Sequence, residues 1–280
     1  MTTATIHHDG ADLVYDVEGS GPLLLMIAGR GGTGGRYTGI SAQLQQHFRV
    51  VRYDRRACGR STGDRSRPLD ITQQARDAVA IITALGETTA YVFGNSAGAS
   101  IALRIAEYYP EVVRGMIVHE PMSFSILPDR EHWVNFTRRV DRTFRTEGAG
   151  PALALLGSSM VGMGQPGGPP ARGQEDMGFF LGQEIMSLCY YQPDLERISR
   201  NGVNMIASKG ELSQDAYYAR TADVIGQSLG CPVRTMPGNH IAHVLDPAGF
   251  ASALRASLID LTTNAIQPDT GNTGGTDVQG

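Results

Sequence analysis

The sequence predicts one α/β domain with a mainly parallel β-sheet. Two observations support this fold class. Short apolar runs of strand length alternate with longer amphipathic segments along most of the chain. In addition, the run LLLMIA at residues 23–28 is apolar at every position, which is typical of a strand covered on both faces. A chain of 280 residues is long enough to bury a core of this kind.

The elements follow one another in a regular order. Two strands flank the turn Asp9-Gly10, and later helices carry start signals such as Asp70 as an N-cap and the pair Asp246-Pro247. The predicted strands cover residues 5–8, 13–17, 23–28, 48–53, 90–94, 116–119, 203–208 and 232–236. The predicted helices cover residues 70–85, 97–109, 130–146, 175–190, 215–229 and a last segment that begins at 246.

The alternation is interrupted between residues 121 and 200. This stretch is longer than an ordinary connection. It holds five of the ten methionines, five of the eight phenylalanines and the only tryptophan, Trp133, around a Gly/Pro-rich segment at 162–174. We expect residues 121–200 to form a helical cap, or lid, inserted after the sixth strand of a core that comprises residues 1–120 and 201–263.

Composition argues against several classes of protein. The chain has 24 basic and 28 acidic residues, and a net charge of −4 does not favour binding to a phosphate backbone. No apolar run reaches the length of a membrane span, the first residues lack the pattern of a signal peptide, and three scattered cysteines predict neither a disulfide framework nor a zinc site. We therefore expect a cytoplasmic protein with no metal and no nucleic-acid or membrane partner, and a homodimer is left open. The polar segment 264–280 predicts a disordered tail.

The strongest chemical signal is the segment Gly94-Asn95-Ser96-Ala97-Gly98 between a predicted strand and a predicted helix. The pattern G-x-S-x-G in this context is typical of a nucleophile elbow. The turn is so tight that positions 94 and 98 need glycine, and it forces Ser96 into a strained conformation that lifts its hydroxyl clear of the carboxyl edge of the sheet. Ser96 is therefore the candidate nucleophile.

A serine hydroxyl needs a base at neutral pH. Of the seven histidines, only His240 and His243 lie between the last predicted strand and the last predicted helix, where a loop reaches the same edge of the sheet. His240 follows the tighter turn, so we take it as the base. We expect His243 to be a neighbouring structural or pocket residue.

Three motifs make the chain resemble the α/β-hydrolase family over residues 4–263. They are GNSAG at 94–98, YDRRACGRS at 53–61 and PGNHIAHVLDPAGF at 237–250. The resemblance implies a catalytic triad in the chain order Ser, acid, His. More narrowly, the segment VHEP at 118–121 is similar to zearalenone-type lactonases and related small bacterial hydrolases, in which the acid follows strand six. This position corresponds to Glu120 here.

The position of the acid is open between two carboxylates. Glu120 lies at the carboxyl end of a predicted strand next to the elbow, where a side chain is well fixed. Most α/β-hydrolases carry the acid after strand seven, where this sequence offers Glu211 and, further along, Asp215. Either carboxylate would orient the imidazole and stabilise its cation. We expect Glu120 to be the acid and keep Glu211 as the alternative.

The oxyanion of a tetrahedral intermediate needs hydrogen-bond donors. The sequence offers the backbone N–H of Ala97, directly after the candidate nucleophile, and a backbone N–H of Arg30 or Gly29 in the loop AGRGGTGG. The Met- and Phe-rich insertion indicates an apolar pocket with adaptable walls. We expect this substrate pocket to be lined by Met122, Phe124, Trp133 and His243.

The same glycine-rich loop also matches a competing motif. Gly29, Gly31 and Gly34 form a G-x-G-x-x-G pattern after a strand, and Asp54 lies about twenty residues further on, as in dinucleotide-binding proteins. Two strands precede this loop, however, and the dinucleotide interpretation gives no role to the elbow or to the histidine loop.

We therefore predict a cofactor-independent serine hydrolase that cleaves a carboxylic ester or lactone of a hydrophobic small molecule. One alternative is a member of the same fold family with a non-hydrolytic role, either lyase-like or ligand-binding. A more remote alternative is an NAD(P)-binding oxidoreductase.

Overall fold

The protein is described by a computed structural model that covers residues 1–163 and 177–264. Eight strands form one sheet, and they are β1 (Thr2–His8), β2 (Ala11–Glu18), β3 (Leu23–Ile27), β4 (Arg49–Tyr53), β5 (Ala90–Asn95), β6 (Val113–His119), β7 (Met205–Gly210) and β8 (Val233–Met236). Their order across the sheet is β1-β2-β4-β3-β5-β6-β7-β8. The pairings β1–β2 and β2–β4 are antiparallel, and the others are parallel. The predicted fold class, a mostly parallel eight-stranded sheet, is confirmed.

Helices cover both faces of this sheet. Those in the described residues are α1 (Thr38–Leu44), α2 (Ile71–Ala84), α3 (Ala97–Tyr108), α4 (Arg130–Glu147), α5 (Ala149–Gly157), α6 (Met177–Phe179), α7 (Ile185–Tyr190), α8 (Leu195–Asn201), α9 (Tyr217–Leu229), α10 (Ala242–Leu245) and α11 (Pro247–Asn264). A π-helical turn, Phe180–Glu184, joins α6 to α7. The sequence does not predict α1, α5, α8 or α10, the last of which has only four residues. Two of them are only seven residues long, and α5 is apolar at nearly every position, so it shows no helical period.

Strand β3 explains the continuous apolar run in the sequence. Leu25 and Ile27 point into the core cluster beneath α2, α3 and α9, whereas Leu24 and Met26 point into the cluster beneath α1 and α11. Side chains alternate between the two faces of a strand. Because both faces of β3 are covered, both sets of side chains must be apolar.

The stretch between β6 and β7 is helical where it is described. It contains α4 to α8, and α4 packs against α5, α7 and the π-helical turn. Most of the Gly/Pro-rich segment 162–174 lies outside the described residues, as do residues 265–280 of the expected tail. None of the helices in residues 1–163 and 177–264 combines the length and the apolar composition that a membrane crossing requires.

Candidate active site

Ser96 occupies the turn between β5 and α3. Its backbone has φ 56° and ψ −120°, in a region that residues other than glycine rarely adopt. The surroundings hold this conformation, since the Ser96 N–H donates to the carbonyl oxygen of His119 at 2.9 Å. A side chain at Gly94 or Gly98 would overlap neighbouring backbone atoms. The turn therefore requires glycine at these two positions and leaves the Ser96 residue 4% exposed.

Two backbone segments flank Ser96, the start of α3 and the loop after β3. Ala97 is the first residue of α3, so its N–H has no partner within the helix. Gly29, in the loop after β3, lies directly against the serine, because a Cβ atom there would stand 3.1 Å from Ser96 Cβ and 2.8 Å from the carbonyl oxygen of Asn95. Only glycine allows this approach. The next peptide N–H in the loop belongs to Arg30.

His240 reaches the serine turn from the loop after β8. Its carbonyl oxygen accepts a hydrogen bond from Asn95 Nδ2 at 3.1 Å, which ties the histidine loop to the residue before Ser96. On the other side, the His240 ring atom Nδ1 lies 2.6 Å from Glu120 Oε2. Because a carboxylate only accepts, the proton lies on Nδ1, and Nε2 is left as the basic nitrogen.

Glu120 follows β6 and is fully buried with a φ of 47°. One carboxylate oxygen contacts His240, and the other accepts the Gly210 N–H at 2.7 Å. Burial opposes the charge of this carboxyl, but the neighbouring imidazoles of His119 and His240 and these two hydrogen bonds outweigh it and lower the pKa of Glu120 to about 2. The group is therefore ionised at neutral pH.

The two candidate acids lie in different environments. Glu211 begins a short 3-10 helix, Glu211–Ser213, and is exposed to solvent. The structure brings Glu120, and not Glu211, into contact with His240.

Two further histidines are buried beneath the site. His119 Nδ1 lies 3.1 Å from Ser208 Oγ, its Nε2 lies 3.9 Å from Glu120 Oε2, and burial lowers the pKa of His119 to about 4. His243 packs between the rings of Tyr37 and Phe250, and burial, followed by the positive charge of Arg36, lowers the pKa of His243 well below its usual value. Both imidazoles are therefore neutral.

An aromatic wall, defined here as Tyr218, Tyr217, Trp133 and Phe124, leads away from His240. The Tyr218 ring lies 4.6 Å from the His240 ring and 5.0 Å from the Tyr217 ring. Trp133, which α4 contributes, stacks on Tyr217 at 4.1 Å, and Phe124 meets the same ring edge to face at 5.4 Å. Met122 lies next to the Ser96 turn, since its N–H donates to the Ser96 carbonyl oxygen at 3.3 Å, and its side chain belongs to the same apolar core cluster as Phe124 and Tyr217.

Sequence reasoning missed two members of this wall. The sequence predicts the helix that carries Tyr217 and Tyr218 but does not assign these two residues to the site. The available signal was a pair of large aromatic residues at the start of the helix that follows strand seven, near the expected site.

Asp54, the acidic residue of the competing dinucleotide motif, is occupied by internal contacts. Its carboxylate accepts hydrogen bonds from the backbone N–H groups of Gly34 and Arg60 at 2.8 and 2.9 Å, and from Arg60 Nε at 2.7 Å. These contacts close the loop after β4 onto the loop after β3. A structural role explains this carboxylate without a ribose.

Comparison with known proteins agrees with the fold described above. The family model of the alpha/beta hydrolase fold matches residues 22–168. The chain belongs to the α/β-hydrolase fold family. This α/β-hydrolase is 25% identical to the uncharacterized hydrolase YraK of Bacillus subtilis (strain 168), over 265 residues that cover 92% of this chain and 96% of that protein.

Solved structures share the fold of this α/β-hydrolase at low sequence identity. A thermophilic esterase from Thermogutta terrifontis superposes with a TM-score of 0.76 at 16% identity, covering 93% of this chain and 99% of that one. The enol-lactonase from Burkholderia xenovorans LB400 superposes with a TM-score of 0.71 at 17% identity, covering 93% of this chain and 100% of that one. At 16–17% identity, these superpositions show a shared fold and nothing more specific.

Proposed function

We propose that the protein is a serine hydrolase that cleaves a carboxylic ester or a lactone of a hydrophobic small molecule. Ser96 is the nucleophile, His240 the general base, and Glu120 the acid that orients His240. The observation that carries this proposal is the 2.6 Å contact between His240 Nδ1 and the buried, ionised Glu120. The loop that contains His240 is also hydrogen-bonded to Asn95, the residue before Ser96. This arrangement has the order and the roles of a Ser-acid-His triad.

The reaction follows from these positions. Ser96 Oγ attacks the carbonyl carbon while His240 Nε2 takes the hydroxyl proton, and the Glu120 carboxylate stabilises the resulting imidazolium. The carbonyl oxygen becomes an oxyanion, which accepts hydrogen bonds from the N–H groups of Ala97 and Arg30. The imidazolium then protonates the leaving alkoxide, and an acyl-enzyme remains. Water then attacks the acyl carbon while His240 Nε2 takes its proton, and His240 returns that proton to Ser96 Oγ as the acid leaves.

The aromatic wall supports the choice of a hydrophobic substrate. Tyr217 is buried, and its ring contacts both Trp133 of the insertion and Phe124 of the loop after β6. An acyl or alcohol group that leaves the Ser96 region in this direction meets ring faces and the thioether of Met122. Such surfaces favour apolar ligands.

The insertion is the proposed cap of this site. Trp133 belongs to α4 and reaches the wall that begins at His240, which supports a division into a core, residues 1–120 and 201–263, and a cap, residues 121–200.

The three cysteines are unpaired, which is in keeping with the cytoplasmic location that we propose.

A fluorophosphonate probe with peptide mapping tests the proposed function. We expect covalent label on Ser96, no label in Ser96→Ala or His240→Ala, and a loss of ester turnover on the order of 10⁴-fold in both variants. Ser100→Ala is the matched control, because Ser100 is a buried serine in the first turns of α3 whose hydroxyl bonds to Ser123, and this variant should keep its label. Label on Ser96 without turnover of any ester or lactone would favour the non-hydrolytic alternative.

A further inference from the structure

Arg55 and Glu184 form an ion pair that is completely shielded from solvent. Arg55 lies two residues after β4, and Glu184 ends the π-helical turn of the insertion, 129 residues further along the chain. The guanidinium binds the carboxylate through two hydrogen bonds, Nη1 to Oε1 at 2.8 Å and Nη2 to Oε2 at 3.1 Å. Both side chains are 0% exposed. The pair therefore joins the core to the insertion through one fixed, bidentate contact.

Arg55 makes a further contact with the loop that carries the proposed oxyanion donor. Its Nη2 also donates to the carbonyl oxygen of Gly29 at 3.0 Å, and its backbone N–H donates to the carbonyl oxygen of Gly32 at 2.7 Å. The Gly32 N–H in turn donates to the Gly29 carbonyl oxygen at 3.1 Å. Arg55 thus holds both ends of the turn 29–32.

The geometry of the peptide bond connects this contact to the reaction. The carbonyl of Gly29 and the N–H of Arg30 belong to one planar peptide unit, and in a trans peptide they point in opposite directions. A guanidinium that fixes the Gly29 carbonyl on one side therefore fixes the direction of the Arg30 N–H on the other. A charged donor on the carbonyl also polarises the peptide, which makes its N–H a stronger donor.

We propose that Arg55, held by Glu184, is a positioning residue that aims the Arg30 N–H at the oxyanion. This inference rests on the proposed function and assigns roles to two residues outside the triad. It also explains a buried pair that stability alone does not require, because well-packed apolar residues often replace buried ion pairs without loss of stability. Because Glu184 belongs to the insertion, the position of the insertion determines the direction of the Arg30 N–H in the oxyanion hole.

The adjacent residue provides a matched control. Arg56 binds the fully buried carboxylate of Asp77 through two hydrogen bonds of 2.7 Å, and its other donors contact the carbonyl oxygens of His8 and Asp9. The two pairs start from the same loop and have the same chemistry. Only the Arg55 pair contacts the turn 29–32.

The test compares Glu184→Gln with Asp77→Asn. Melting temperature, kcat and KM for an ester, and the inhibition constant of a trifluoromethyl ketone are measured for each. The ketone adds reversibly to the serine and forms an oxyanion, so its affinity reports the oxyanion hole. We expect both variants to melt at lower temperature. Only Glu184→Gln should also lower kcat by roughly tenfold to a hundredfold at little changed KM, and weaken the ketone by a similar factor.

The double variant Arg55→Met/Glu184→Leu separates positioning from stability, and it keeps the test decisive if Glu184→Gln does not fold. We expect its melting temperature to return towards that of the wild type, while kcat and ketone affinity stay low. Recovery of melting temperature, kcat and ketone affinity in the double variant would show that the pair is merely structural and would overturn the inference. Unchanged kcat and ketone affinity in Glu184→Gln would overturn it as well. A wild-type protein whose Ser96 is neither labelled nor inhibited would overturn the proposed function and this inference together.

Discussion

Arg55 and Arg56 are neighbours in one loop, yet they anchor two different regions of the molecule. Arg56 binds Asp77 in α2 and two carbonyl oxygens at the tip of the β1–β2 hairpin, so it holds the loop to the core. Arg55 binds Glu184 in the insertion and the carbonyl oxygen of Gly29 beside Ser96. The region around Arg56 is thus a structural support for the loop after β4. The region around Arg55 is in direct contact with the loop after β3, which carries the proposed oxyanion donor.

The core and the insertion also differ in how they position the residues that they contribute to the site. On the core side, Ser96 and Glu120 follow the ends of adjacent strands, and the pairing of β5 with β6 fixes their separation. On the insertion side, Trp133 and Glu184 come from helices whose placement depends on long-range contacts. In the proposed function, the core therefore supplies the reacting groups, and the insertion shapes the pocket and holds the loop of the oxyanion donor.

The largest expected effect tests the core side of this comparison. Glu120→Gln keeps the volume and the Gly210 contact but removes the charge that stabilises the His240 imidazolium. We expect ester turnover to fall by roughly 10³- to 10⁴-fold at neutral pH, measured as kcat/KM. Glu211→Gln is the control and should stay within about twofold of the wild type, because Glu211 is exposed to solvent and the His240 ring binds Glu120. The opposite result would assign the acid to the loop after β7.

The parts of the site that the sequence predicts are those set by local geometry. The elbow is readable because two glycines, a serine and the flanking strand and helix lie within one short segment, and the tight turn restricts all of them. The run at β3 is readable because burial on both faces leaves no polar position. Each of these signals comes from neighbours in the chain.

Other parts depend on contacts that no local pattern encodes. Glu120 and His240 are 120 residues apart, and the sequence leaves Glu211 as an alternative acid because most α/β-hydrolases carry the acid after strand seven. Nothing in the pair Arg55-Arg56 indicates that the two side chains bind partners in different regions. Glu184 lies in a π-helical turn, and its role depends on an arginine 129 residues earlier in the chain. Such pairings follow from the packed structure.

Lowering the pH should weaken the core side of the site in two steps. His119 has a pKa of about 4 in the folded protein, below its usual 6.5, so folding resists its protonation. Its contribution to stability is complete above pH 6.5 and is lost as the pH falls from 6.5 towards 4. The pKa of Glu120 falls from 4.5 to about 2, so its contribution is present above pH 4.5 and is lost as the pH falls towards 2.

Urea titrations at several pH values measure this dependence. We expect the free energy of unfolding to drop by up to about 3 kcal/mol between pH 7 and pH 4 through His119, with the buried His243 acting in the same direction. His119→Gln removes the first titration while keeping a polar group near Ser208, so its stability should depend less steeply on pH in this range. An unchanged slope in this variant would mean that His119 does not carry the acid sensitivity, and that His243 or another group does.

The smallest expected effect concerns the attachment of the insertion. The hydroxyl of Tyr218 accepts the Val161 N–H at 2.8 Å and donates to the Val161 carbonyl oxygen at 3.1 Å, while its ring lies against His240. Tyr218→Phe keeps the ring and removes both hydrogen bonds, so it should lower the free energy of unfolding by about 1–2 kcal/mol. Tyr91→Phe is the control, because the Tyr91 hydroxyl bonds to Thr262 in α11, on the core side.

Hydrogen exchange followed by mass spectrometry distinguishes these two variants by region. Tyr218→Phe should speed exchange in the segment 149–163, since this segment loses two of its hydrogen bonds to α9. Tyr91→Phe should leave that segment as in the wild type. If both variants leave exchange in 149–163 unchanged, the other contacts between the insertion and the core, with Arg55–Glu184 among them, hold this segment without the Tyr218 hydroxyl. If both speed it equally, the insertion and the core open as one unit, and the distinction between the two regions fails.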